Sequence, residues 1–165
     1  MAQKVYLGLG SNGENAKASL EEALAGLDTL CGVRLVQCST MYHTEPQGFR
    51  DQPWFTNCVC ECAVEGLDPE SMLRQCLALE EKLGRVRDPT KPRFGPRVID
   101  IDLLLFGDIT WQSETLLLPH PRMHTRAFVL YPLWEIAPTC LLYGKSLSWH
   151  LSQFAWRKEG LALYQ

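Results

Sequence analysis

The chain has 165 residues, 46% of them hydrophobic and 21% charged, with a net charge of −3 and seven cysteines. That size and balance suit a single globular domain over residues 1–165 with a sizeable core, and no apolar run reaches the roughly 18 residues that a membrane-spanning helix needs. The acidic net charge argues against a general nucleic-acid-binding surface but leaves room for a local basic patch. Met1-Ala2-Gln3-Lys4 leads directly into apolar sequence without a signal-peptide pattern, and an odd cysteine count in that setting favours reduced thiols; a cytoplasmic location is expected.

A first strand is expected from Lys4 to Gly8, followed by a glycine-rich turn and an amphipathic helix from Ala16 to Leu30. Leu20, Ala23, Leu24 and Leu27 supply the apolar stripe of that helix. A second strand runs through Val33–Tyr42 and a third through Phe55–Val64, with a polar loop between them. A second helix covers Pro69–Leu83, with Asp68 as N-cap and Pro69 at the first helical position. A fourth strand holds Asp100 and Asp102. Gly107-Asp108 turns it into a further strand near Trp111–Leu118, and added helices follow over Arg126–Ile136 and Ser146–Trp156. The order β-α-β-β-α-β is that of an α+β, ferredoxin-like core, an antiparallel sheet with both helices on one face, extended by C-terminal helices.

Gly8-Leu9-Gly10-Ser11-Asn12-Gly13 has the Gly-x-Gly-x-x-Gly spacing of a dinucleotide site. That fingerprint requires a parallel βαβ unit. Here the second and third strands follow one another without a helix, so the match is set aside.

Asp100 and Asp102 carry the chemistry. In an extended strand they share one face while Ile99, Ile101 and Leu103 share the other, and residues two apart lie roughly 6.5 to 7 Å from each other. Either that face is simply solvated, or the carboxylates serve a cation, since a buried Asp is seldom left unpaired. The segment before them gathers Arg85, Arg87, Lys91, Arg93 and Arg97 among glycines and prolines and reads as a basic loop. Carboxylates that hold Mg²⁺ beside guanidinium forks that grip phosphate suit a polyphosphate ligand. Cys58, Cys60 and Cys62 alternate along one strand and read as small buried core residues, because no Cys-x-x-Cys pair of a zinc site is present. His120 and His124 have helical spacing, but Pro119 and Pro121 argue against a shared helical face.

Five motifs taken together resemble the 6-hydroxymethyl-7,8-dihydropterin pyrophosphokinase family. They are Leu7-Gly8-Leu9-Gly10-Ser11-Asn12; Tyr42-His43-Thr44-Glu45-Pro46-Gln47-Gly48 with Asp51-Gln52-Pro53-x-Phe55-x-Asn57; Glu80-x-x-x-Gly84-Arg85-x-Arg87; Gly95-Pro96-Arg97-x-x-Asp100-x-Asp102-x-x-Leu105-Phe106-Gly107; and Leu118-Pro119-His120-Pro121-x-Met123-x-x-Arg126-x-Phe128-Val129-Leu130. They occur in the family's order up to about Pro138. The resemblance implies transfer of pyrophosphate from ATP to the hydroxymethyl group of the dihydropterin in folate biosynthesis. It implies two Mg²⁺ ions on Asp100 and Asp102, and a catalytic set of Arg85, Arg97, Asp100 and Asp102. ATP would be seated by Glu80, Arg85, Arg87, Arg97, Ile101, Leu103, His120 and Arg126. The pterin would be held by Thr44, Glu45, Pro46, Gln47, Phe55, Asn57, Asp100 and Phe128, with the two phenylalanines on its faces. A monomer with no nucleic-acid or membrane partner and a single activity is expected.

The chain departs from the family in its first turn, which is shorter, and in Arg87–Gly95, which is longer and carries Phe94. Asp88, Thr115 and Pro121 also differ, and the Arg87–Gly95 loop is expected to close over ATP. The same sheet plan also hosts non-catalytic nucleotide- or RNA-binding modules, which remain the alternative on fold alone.

Overall fold

The computed structural model describes residues 1–45, 51, 53–84, 99–154 and 162–163. Strand β1 (Gln3–Ser11) is followed by α1 (Ala16–Leu27), β2 (Val33–Cys38), β3 (Tyr42–Thr44), β4 (Phe55–Val64), α2 (Pro69–Lys82) and β5 (Asp100–Phe106). A hairpin of β6 (Trp111–Gln112) and β7 (Leu117–Leu118), a 3₁₀ turn (Met123–Thr125) and α3 (Ala127–Ile136) come next. The hairpin β8 (Leu141–Leu142) and β9 (Lys145–Ser146), α4 (Leu147–Leu151) and β10 (Ala162–Leu163) complete the order.

The main sheet runs β10-β3-β4-β1-β5, with β2 also paired to β4. Its paired strands are antiparallel, and the arrangement is that of the expected α+β, ferredoxin-like core. Several details differ from the sequence reading. Strand β1 runs past the expected end at Gly8 to Ser11, so Leu9 and Gly10 are strand residues rather than part of a turn. The first helix stops at Leu27, where Asp28 N–H bonds back to Leu24 C=O.

The expected second strand divides into β2 and β3. Cys38 pairs with Cys60 but Tyr42 with Asn57, so this side carries one residue more than its partner. Ser39 fills the break: its N–H donates to Val59 C=O at 2.8 Å and its hydroxyl accepts from Val59 N–H at 2.9 Å. The expected strand near Trp111–Leu118 is a two-rung hairpin outside the main sheet.

The helix α2 begins as expected, with Asp68 Oδ1 accepting from Ser71 N–H at 2.7 Å and Pro69 in the first turn. Helices α1 and α2 cover one face of the sheet, over Val5, Leu7, Leu9, Cys58, Cys60, Cys62, Ile101 and Leu103. The three alternating cysteines are free and buried in that core, as their pattern suggested. The α3 and α4 helices cover part of the other face, over Tyr6, Val59, Leu104 and Leu105. A bulge places Leu104 between the Leu7–Leu103 and Tyr6–Leu105 pairs, so Leu104 and Leu105 both serve this second core while Phe106 returns to the first. The expected C-terminal helix is short in the described residues, Leu147–Leu151, capped by the Ser146 hydroxyl, which accepts from Trp149 N–H.

Candidate active site

Strand β5 lies at one edge of the sheet among the described residues, and Asp100 and Asp102 point to the face opposite α1 and α2. Across from them on β1 stand Gly10 and Gly8, paired with Asp100 and Asp102 respectively. On the other side of β1, Gly10 pairs with Asn57. Two glycines on one strand face leave a trough where side chains would otherwise stand. A Cβ at Gly10 would lie 2.6 Å from Asn57 Oδ1, closer than carbon and oxygen can approach without a shift.

The trough opens into a cavity of about 110 Å³ lined by Gly8, Gly10, Thr44, Glu45, Phe55, Asn57, Asp100, Asp102, Arg126 and Phe128, among others. Asn57 Nδ2 donates to the Thr44 hydroxyl at 2.6 Å, which leaves Oδ1 as the end of the amide over Gly10. The Arg126 guanidinium lies 5.6 Å from the centre of the Phe128 ring and 3.9 Å from Asp102 Oδ2.

A second cavity of about 500 Å³ lies beyond the carboxylates. Its walls are Leu73, Leu77 and Glu80 of α2, the edge of β5, the Ser113–Leu117 segment of the β6–β7 hairpin, and His120 with Arg122 and Arg126. The backbone of Ile101 faces outward from β1, and its N–H donates to the buried Glu80 carboxylate at 2.7 Å. Alternation along an antiparallel edge turns the Leu103 backbone groups the same way. Asp100, Asp102 and Arg126 line both cavities and form the wall between them.

Burial, with Arg126 and Arg122 nearby, pushes His120 down to a pKa of about 4 against the opposing pull of Asp100. Its Nδ1 accepts from Arg122 N–H at 3.1 Å. The ring is therefore neutral at physiological pH, with Nε2 carrying the proton. Such a ring can donate a hydrogen bond without adding charge.

Six of the eight residues expected around the pterin, Thr44, Glu45, Phe55, Asn57, Asp100 and Phe128, line the smaller cavity. Glu80, Ile101, Leu103, His120 and Arg126 line the larger one. Pro46, Gln47, Arg85, Arg87, Arg97 and the Arg87–Gly95 loop lie outside the described residues. The sequence reading missed Gly8 and Gly10 as cavity floor; their i, i+2 spacing inside a nine-residue strand was the available signal. It also missed Leu73, Leu77 and Ser113 as walls. Among the described residues no group of three or more His, Cys, Asp or Glu could hold a metal. Asp100 and Asp102 are carboxylates at this wall that could hold a cation, whose remaining positions would fall to ligand oxygens and water. A pair of carboxylates completed by phosphate oxygens is the usual setting of Mg²⁺.

Residues 6–138 match the family described as 7,8-dihydro-6-hydroxymethylpterin-pyrophosphokinase (HPPK). The chain is 44% identical over 144 residues to the 2-amino-4-hydroxy-6-hydroxymethyldihydropteridine pyrophosphokinase of Methylorubrum extorquens, covering 87% of this chain and 89% of that protein. It is 42% identical over 138 residues to the enzyme of the same name from Pseudomonas aeruginosa, covering 84% and 83%. The Folic acid synthesis protein fol1 of Schizosaccharomyces pombe is 38% identical over 133 residues, but this chain spans only 18% of its length. Among solved structures, Plasmodium falciparum HPPK-DHPS superposes with a TM-score of 0.74 at 17% identity, over 95% of this chain and 44% of that one, a likeness of fold.

Proposed function

The chain belongs to the 7,8-dihydro-6-hydroxymethylpterin-pyrophosphokinase family and is an ATP-using pyrophosphokinase of folate biosynthesis; from that premise we propose that its two cavities hold the two substrates on either side of Asp100 and Asp102. The observation that carries this reading is the shared wall. Two carboxylates and Arg126 border a small cavity with two phenylalanine rings and a larger cavity along a sheet edge.

The smaller cavity suits the pterin, a flat heterocycle with a donor and acceptor edge. Phe55 and Phe128 offer aromatic faces, and the Asn57 amide, fixed by Thr44, offers an acceptor to the ring edge. Glu45 adds a polar group at the same rim. The larger cavity suits ATP. The Ile101 carbonyl, its N–H being held by Glu80, and the Leu103 backbone at the edge of β5 offer hydrogen bonds to the base, while His120, Arg122 and Arg126 face the polyphosphate. Arg85, Arg87 and Arg97 complete the phosphate grip in this reading, as the family motifs imply.

In the transfer, the hydroxymethyl oxygen of the pterin attacks the β-phosphorus of ATP. The bond from that phosphorus to the oxygen bridging to the α-phosphate breaks, AMP leaves with that oxygen, and the hydroxyl proton is lost. Asp100 and Asp102 would hold two Mg²⁺ ions, which supply charge neutralisation of the phosphates and acidity to the attacking hydroxyl. This chain's own part is positioning. Asp100 lies at the junction of the two cavities, Phe55 and Phe128 orient the pterin, and Arg126 reaches both substrates. Neutral His120 donates from Nε2 without competing with the arginines for negative charge.

We take residues 1–165 as one such unit, supported by the two cores that share one sheet, and expect it to act as a monomer. The test is AMP formation from ATP and Mg²⁺ with and without 6-hydroxymethyl-7,8-dihydropterin, beside Asp102→Ala. Pterin-dependent AMP that falls by about 100-fold or more in the variant supports the reading; ADP as product, or full activity in the variant, overturns it.

A further inference from the structure

The β6–β7 hairpin forms one wall of the larger cavity, yet it has only two rungs and does not join the main sheet. A hairpin so short is marginal unless something else holds it. Leu116 and Leu118 anchor it in the core under the sheet, and one carboxylate ties its turn to α2. Glu70 Oε1 accepts from the Trp111 indole N–H at 3.0 Å and from the Ser113 hydroxyl, and Oε2 accepts from the Thr115 hydroxyl at 2.7 Å.

Glu70 sits in the first turn of α2, where a negative charge is favoured by the helix start, and the same helix supplies Leu73, Leu77 and Glu80 to the opposite wall. The Ser113 hydroxyl also accepts from Leu116 N–H at 3.1 Å, and the Ser113 N–H donates to Leu116 C=O at 2.9 Å. The turn of the hairpin is thereby keyed to the same carboxylate.

We infer that Glu70 is a positioning residue for the nucleotide: by holding Trp111, Ser113 and Thr115 together it sets the gap between α2 and the β6–β7 hairpin, and so the fit of ATP. This inference rests on the assignment of the larger cavity to ATP. It also says how the base is read. With both hydroxyls donating to Glu70, the Ser113 and Thr115 O–H groups are committed within this wall rather than left for the base. None of the three donors lines the smaller cavity, so the effect is confined to one substrate.

The experiment measures AMP release by Glu70→Ala and Glu70→Gln with each substrate varied in turn. Glu70→Ala raises the KM for ATP about tenfold, the size of a lost charge-assisted hydrogen bond, and Glu70→Gln raises it less. The kcat and the KM for the pterin stay within about twofold of the parent. Thr115→Val raises the KM for ATP alone but adds little in the Glu70→Ala background, because the two changes break one contact. An unchanged KM for ATP, or equal rises for both substrates, would overturn the inference. Calorimetric titration of the parent enzyme with a nonhydrolysable ATP analogue separates the premise: no uptake there removes ATP from the cavity, and the inference with it, whatever the Glu70 variants do.

Discussion

Asn57 and Thr44 are joined across two strands by a hydrogen bond of 2.6 Å, from Asn57 Nδ2 to the Thr44 hydroxyl, and that bond decides which end of the amide faces the small cavity. Replacing the hydroxyl by a methyl group in Thr44→Val leaves the amide free to turn. The variant is expected to bind pterin about five- to tenfold more weakly, the worth of one such bond. Titration of pterin fluorescence with the protein checks this, and unchanged affinity would mean that Thr44 does not orient Asn57.

Gly10→Ala tests the trough. A Cβ there meets Asn57 Oδ1 at 2.6 Å, with Phe55 Cδ1 at 3.8 Å, so the flexible amide must give way while the strand stays paired. The expected outcome is a melting temperature within a few degrees of the parent and a loss of pterin affinity of at least about tenfold. Cooperative unfolding and pterin binding are measured on the same preparation; a variant with normal pterin affinity contradicts the assignment of the cavity floor.

The shared wall predicts a split among three residues. Arg126 lines both cavities, so Arg126→Met weakens both substrates and lowers kcat, by about 100-fold in kcat/KM. Phe128 lines only the smaller cavity and His120 only the larger. Phe128→Ala therefore raises the KM for pterin alone, and His120→Ala the KM for ATP alone. Crossed effects from the two single-cavity residues would show that the substrates are not arranged in this way.

His120 makes a pH prediction with a definite sign. Its pKa in the fold is about 4, below the 6.5 of an unperturbed histidine, because burial and two arginines disfavour the charged ring. Between those values the unfolded chain takes up a proton that the folded one refuses, so this group's contribution to stability is complete above pH 6.5 and is lost as pH falls toward 4. The ring proton resonances of His120, assigned by comparison with His120→Gln, are expected to show no titration between pH 8 and 5.5. A midpoint above 6 would refute the neutral ring.

The core under the sheet makes a plain stability prediction. Leu20 is fully buried on α1 among the residues that cover β1 and β4. Leu20→Ala is expected to cost about 2 to 5 kcal/mol in denaturant unfolding, with substrate affinities unchanged in the fraction that remains folded.

Much of the fold was legible because its signals are local. Asp68-Pro69 marks a helix start through one side chain and one ring, and α2 begins there. The period of two along Ile99–Leu103 put Asp100 and Asp102 on one face, and they share one. The cysteines at 58, 60 and 62 were readable as core for the same reason. Gly10 misled because a glycine has no side chain to show a period, and its turn preference is overridden by pairing with β4 on one side and β5 on the other. The break at Ser39 was hidden because a bulge costs one residue of register and no change of composition.

By itself the sequence determined the order of elements, the polar face of the Asp-x-Asp strand and the family, since each depends on neighbours a few residues apart or on motifs in a fixed order. Only the tertiary structure decided that Asp100, Asp102 and Arg126 form a wall common to two cavities. It alone showed Asn57 held by Thr44, and a single carboxylate at Glu70 gathering donors from a hairpin more than forty residues away. The physical reason is that cavities and side-chain hydrogen bonds are made by segments brought together through burial of their other faces, and no local pattern records which segments those are.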